Sequence, residues 1–438
     1  MRPESPHFET STESGAARKA FDEAVHGLAA HRPTTAGALA TALRADPDHV
    51  AAHALTGFAN LILARSELVE PAGQALGRAR AALAARDGGT ADERALVGAL
   101  GAAVAGSFSG AADRLDAGFA DRPAVLLPFK LAHALRFMLG DAKGMLAASG
   151  RAMAIWDPEM PGAGFLLGCH AFALEEHGFY DAARAAGESA VALQPDDAWG
   201  LHAVGHVHEM RGDTGAGIAW IEASRASWSR CNNFSFHMAW HLALFHLERG
   251  DTERVLRLYD AEVRPAPTDD FRDMANAVSL LWRLERRGAP VGHRWRDLAE
   301  IALRRRADAT LVFGALHTLT ALVALGEWAA ARELVAALEA RARGTGDQAR
   351  VAAGIGVPLA HVLLGRGSFA DRQALDAIAT RLPGIGGSNA QRDVFVLAIA
   401  EAAGRRGDAA ALTRIGRIRR HLKAEDRLIR SIERGARA

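Results

Sequence analysis

The sequence predicts an all-α protein, and three observations carry that prediction. The first is composition. Alanine is abundant and aromatics are only 6%, while 15 prolines in 438 residues leave room for many uninterrupted helices. The second is a recurring glycine, at Gly106, Gly140, Gly178, Gly212, Gly250, Gly288, Gly326, Gly367 and Gly407, spaced 34 to 41 residues apart. The third is what flanks each glycine: an apolar helix-like stretch before it, and a short turn with an alanine-rich stretch after it. No alternating strand pattern accompanies them.

Each element follows from local chemistry. A glycine just past a helix takes the left-handed conformation that closes the last carbonyls, and the next helix turns back antiparallel. One such hairpin cannot bury both its helices, so neighbours must stack, as in helical solenoids. The expected architecture is a tetratricopeptide-like right-handed superhelix of about ten antiparallel hairpins, curling around an inner surface. Residues 15–105 form divergent amino-terminal helices, with stretches His49 to Ala64, Pro71 to Ala85 and Ala91 to Val104. Residues 106–407 form regular hairpins, and 408–438 cap the array, so that 1–438 reads as one domain. In the clearest repeat, Gly164 to Pro195, Ala183 and Ala190 let helices approach and Pro195 ends the second helix.

Charge excludes some functions. With 52 basic and 51 acidic residues the net charge is +1, which supplies no bulk attraction for nucleic acid or anionic lipid. The carboxy-terminal run from Arg414 to Arg437, interleaved with Glu425, Asp426 and Glu433, reads as a charged exposed helix, and Arg304 to Arg306 as a basic surface patch. No stretch reaches the roughly 18 apolar residues of a membrane span. The amino terminus lacks a signal-peptide layout, and two cysteines, Cys169 and Cys231, make no disulfide framework, so a reducing cytoplasmic location is expected.

Several segments resemble the tetratricopeptide repeat protein 38 family: Trp156-Asp-Pro-Glu-Met-Pro-Gly162, Ala171 to Glu176, Asp197 to Met210, His237-Met-Ala-Trp-His241 and Asn389 to Phe395. Leu131-Ala-His133 with Leu139-Gly-Asp141 extends the match upstream. The pattern departs near Asp92-Glu93-Arg94, where Val97 stands in place of an expected histidine. The resemblance implies a helical-repeat fold and no particular reaction.

Candidate chemistry concentrates in two first helices. Trp199, His202, His206 and Glu209 are spaced three, four and three apart, so they share one helical face, and their distances from Gly212 put that face on the inner surface. His237, Trp240 and His241 repeat the theme, with Glu248 further along the same side. Two histidines at i and i+4 give two imidazoles to one ion, so His202, His206, His237 and His241 would suit a metal such as zinc. The spacing differs from that of a zincin, since Ala203 follows the first histidine. Without metal, His206 and His241 would move protons as catalytic groups, Glu209 or Glu248 would orient them, and Trp199 with Trp240 would exclude water. On either reading Trp199, His202, His237 and Trp240 contact the ligand. The bland alternative is a satisfied core, the common fate of buried histidines.

Elsewhere, Arg392 in Gln391-Arg392-Asp393 either clamps a ligand's carboxylate or phosphate or ties down the last repeat. Gly384 to Ser388 before it lacks the lysine of a phosphate loop and reads as a flexible connector. Two functions stay open. One is an enclosed His/Trp/Glu pocket for a small molecule or peptide end, carrying out hydrolysis or proton transfer. The other is a non-catalytic scaffold gripping a protein partner. The residue types on the inner face favour the pocket.

Overall fold

In a computed structural model, residues 7–365, 375–422 and 429 are described, and they contain helices and no strand. Amino-terminal helices α1 (Gly15–Ala29), α2 (Thr35–Ala45), α3 (Val50–Ile62) and α4 (Val69–Ala85) pair as two hairpins. The repeats follow as α5 (Ala91–Val104) with α6 (Phe108–Gly118), α7 (Leu126–Leu139) with α8 (Ala142–Met153), and α9 (Ala163–Glu176) with α10 (Tyr180–Leu193). Next come α11 (Ala198–Arg211) with α12 (Thr214–Ala223), a short α13 (Arg225–Trp228), α14 (Phe234–Arg249) with α15 (Thr252–Leu258), and α16 (Phe271–Arg286) with α17 (Arg294–Arg304). The chain continues through α18 (Val312–Ala324), α19 (Trp328–Ala342), α20 (Asp347–Val351), α21 (Val357–Leu363), α22 (Leu375–Arg381), α23 (Asn389–Arg405) and α24 (Ala409–Leu422). No described helix is long and apolar enough to cross a membrane.

The periodic glycines do what their placement predicts. Gly106, Gly140, Gly178, Gly212, Gly250, Gly288, Gly326 and Gly407 all have φ between 67° and 83°, each just past a first helix. Only glycine enters that region without a Cβ clash. Gly367 lies outside the described residues, as do Glu425, Asp426, Glu433 and Arg437 of the expected tail helix.

Packing groups the residues into two compact units. The first holds residues 1–204 and 224–234; the second holds 205–223 and 235–438. Repeat hairpins touch mainly their neighbours, so an array is held together locally and sub-units emerge within it. In the first unit an apolar core built on Phe21, Leu55, Phe58, Leu96 and Leu100 is followed by a second cluster of Phe129, Leu166, Phe172 and Trp199. Gly168 permits the approach of α9 to α11, because a Cβ there would collide with the carboxylate of Asp197 and the backbone of Gly200.

Charged residues around Asp92 prove structural. Asp92 accepts from the Glu9 backbone N–H (2.9 Å) and pairs with Arg122, while Glu93 accepts from Ser11 N–H (3.0 Å) and closes a capping box with Thr90. The two buried carboxylates therefore pin the amino-terminal segment to α5. The connector before α23 forms a turn. Gly386 and Gly387 have φ of 88° and 75°, and Ser388 forms a capping box with Gln391. Arg304, Arg305 and Arg306 are paired with Glu300, Asp269, Asp308 and Glu333.

Candidate metal centre

Helix α11 presents His206 and Glu209, three apart, and α14 presents His237, Trp240 and His241. In the second unit these five residues meet. His206 Nε2 lies 3.1 Å from His241 Nε2, and His241 Nε2 lies 3.1 Å from His237 Nε2. All three rings are buried, with His206 and His241 at or below 1% exposure. One nitrogen of each falls within 4.8 Å of the others.

The tautomers follow from assigning the Glu209 carboxylate and Asn276 Oδ1 as acceptors to the remaining ring nitrogens. His241 Nδ1–H donates to Glu209 Oε2 at 2.9 Å, an acceptor-only carboxylate. His237 Nδ1–H donates to Asn276 Oδ1 at 3.0 Å. With both protons held at Nδ1, the Nε2 lone pairs of His237 and His241 face each other across 3.1 Å. Two lone pairs in contact repel unless a cation lies between them. A proton is a poor candidate: burial pushes His237 down to about 3, against the help of Asn276, and holds His241 well below its usual value, with the neighbouring imidazoles adding to the effect. A metal ion suits the arrangement. In a tetrahedron with bonds of 2.0–2.1 Å, ligand nitrogens sit about 3.3 Å apart, close to the spacings found here. A second-shell carboxylate or amide on the far nitrogen is the usual way a ligating imidazole is oriented.

The wall behind this cluster comes from α16, which sequence reasoning missed. Asn276 holds His237, Ser279 Oγ accepts from Trp240 Nε1–H at 3.0 Å, and Arg283 lies over the Trp240 ring at 6.0 Å. Arg283 in turn pairs with Asp393 (3.1 Å), which Arg419 also grips at 2.6 Å. The signal was present: Asp273, Asn276, Ser279 and Arg283 form a polar stripe at helical spacing through the apolar middle of the helix.

Trp199 and His202 belong to the first unit, where the indole packs 4.7 Å from Phe172 and 5.0 Å from the His202 ring. His202 stands one turn before His206 on the same unbroken helix. Glu248 pairs with Arg287 at 3.2 Å, which leaves Glu209 as the carboxylate on the histidines. Arg392 donates to the carbonyls of Gly386 and Gly387 and to Asn389 Oδ1 (2.7 Å), closing the turn before α23. His208 is buried on another face of α11. Both cysteines are buried with thiols pushed up to about 11 by desolvation, so neither is an activated nucleophile.

Fold and site together define an all-α helical-hairpin protein carrying a buried imidazole cluster. No family model matches the chain. Among solved structures it is similar to the Naa15/Naa10 assembly bound to HypK-THB, at 13% identity over 95% of this chain and 65% of that one, with a TM-score of 0.26. It is also similar to the P58(IPK) TPR domain, at 15% identity over 80% of this chain and 99% of that one, with a TM-score of 0.19. The chain thus spans about two thirds of the first of these (65%). At such scores the description of the fold rests on the helices themselves.

Proposed function

We propose that this is a metal-binding helical-repeat protein in which His206, His237 and His241 ligate one divalent transition-metal ion through Nε2. The observation that carries the reading is the 3.1 Å approach of two Nε2 atoms whose rings both donate from Nδ1. All-imidazole sites suit zinc, copper, nickel and iron, and zinc fits the tetrahedral spacing. A bound zinc would lower the pKa of a water in an open position, the chemistry of metal-assisted hydrolysis. Glu209 and Asn276 would hold two ligand rings, and Trp240 would shield one side from solvent. The resemblance carried by Trp156 to Gly162, Asp197 to Met210 and His237 to His241 supports membership of the tetratricopeptide repeat protein 38 family. The scaffold alternative rests on repeat architecture alone, which many functions share.

The test is metal analysis of the purified full chain after chelator stripping and reloading with zinc, followed by calorimetric titration. One tightly held zinc per chain is expected, and none in the double variant His237→Ala/His241→Ala. Equal zinc content in the parent and the double variant would overturn the assignment.

A further inference from the structure

The first unit contains a second group of buried polar side chains that the metal centre does not use. Lys130 and His133 are three residues apart on α7 and face the Trp199 indole, with exposures of 8%, 5% and 8%. Lys130 Nζ lies 5.7 Å from the indole centroid, and the His133 ring meets the indole edge-on at 5.9 Å. Phe137 and Phe172 pack on the same indole at 5.6 and 4.7 Å.

The polar atoms of this group are poorly matched within the protein. Lys130 Nζ donates to Cys169 Sγ at 3.6 Å. That thiol stays protonated, because burial outweighs the nearby ammonium, and so it brings no countercharge. Asp197 acts on Lys130 only at longer range. Its Oδ2 accepts the Gly200 N–H (3.1 Å) at the start of α11, and its Oδ1 has no partner. Trp199 Nε1 and both ring nitrogens of His133 also lack partners. Buried donors are almost always satisfied in folded proteins, so something outside the chain is expected to meet them.

We infer that Lys130, His133 and Trp199 form a binding site for a small carboxylate carried on an apolar body. The donor set decides the class. An ammonium, an indole N–H and an imidazole N–H all ask for an acceptor, and the ammonium also asks for negative charge. A carboxylate brings about four lone-pair sites, no hydrogens and one charge. Water would bring two hydrogens into a place already rich in donors. The surrounding rings suit an aromatic or aliphatic body attached to the carboxylate. This reading is independent of the metal centre, which lies on other side chains.

Titration of the full chain with benzoate and with acetate tests it, read by calorimetry and by tryptophan fluorescence against a Trp199→Phe variant. Trp199→Phe keeps a ring in place and removes only the indole N–H. Saturable benzoate binding is expected, tighter than acetate by at least tenfold. Lys130→Gln should weaken benzoate binding by tenfold or more and Trp199→Phe by several-fold, with zinc content unchanged in both. Circular dichroism establishes that each variant is folded, and His133→Phe, which keeps a flat ring, stands in for Lys130→Gln if that variant is not. Benzoate binding that is unsaturable, or equal in the parent and the folded variants, would overturn the inference and leave ordered water as the partner.

Discussion

Around Trp199 in the first unit, aromatic rings crowd an indole, while its own Nε1 and both ring nitrogens of His133 go without partners. Around His241 in the second unit, the outward nitrogens of two imidazoles are each held by a carboxylate or an amide, and the inward nitrogens converge. Both regions take residues from one helical face of α11, so pattern alone does not separate them. The difference lies in what the neighbouring helices supply. Where α14 and α16 supply Glu209's partner and Asn276, the rings are preorganised as ligands. Where α7 supplies Lys130 and His133, the group is a set of donors awaiting an acceptor.

The largest expected effect breaks the second region. His241→Ala removes the ring that contacts both other imidazoles, and zinc affinity should fall by roughly 1000-fold, since binding energies of about 10–16 kcal/mol are shared among a few ligands. Competition with a chromophoric chelator measures this, and an affinity within tenfold of the parent would show that His241 is packing rather than ligand. Trp199→Ala strikes the first region. Truncating a buried aromatic should cost about 3–5 kcal/mol of stability, seen by denaturant unfolding, with the zinc site still able to load. If zinc binding fell as far as in His241→Ala, the contrast between the two regions would collapse.

A smaller change sharpens the comparison. Glu209→Gln keeps the shape beside His241 Nδ1 and removes the carboxylate charge, so metal affinity should fall about 10–100-fold with little loss of stability in the stripped protein. An unchanged affinity would mean that Glu209 does not orient a ligand.

The smallest effect is a slope against pH. Burial raises Asp197 from 3.8 to about 7, against the lowering effects of Lys130 and the backbone N–H groups. Between those values the folded state holds a proton that the unfolded state has released, so Asp197 makes stability fall as pH rises from about 4 to about 7. Asp197→Asn should flatten that part of the profile. His237, depressed to about 3 against an ordinary 6.5, acts in the opposite sense in the metal-free protein, where its share of stability falls as pH drops from about 6.5 to about 3. Denaturant midpoints at pH 4, 5, 6 and 7 would reveal the change, and identical profiles for parent and Asp197→Asn would remove Asp197 as its source.

Much of this was readable along the chain. A glycine past an apolar stretch caps a helix through contacts within five or six residues, and Gly106 through Gly326, apart from their spacing, needed no distant partner to do so. The shared face of His206 and Glu209, or of His237 and His241, likewise follows from 3.6 residues per turn. The polar stripe from Asp273 to Arg283 obeys the same period and was legible, although nothing in its spacing said which helix it would meet. Tertiary packing decided the rest. Glu209 orients His241 on the following first helix rather than a histidine on its own, and Asn276 reaches back 39 residues to His237. Packing also left Lys130 beside a thiol instead of an acid. Helical phase depends on short-range backbone geometry, which every stretch of chain carries with it. Which faces oppose each other, at what depth and with what partners, depends on how side-chain volumes fit across hairpins, and that is settled only when the whole stack closes.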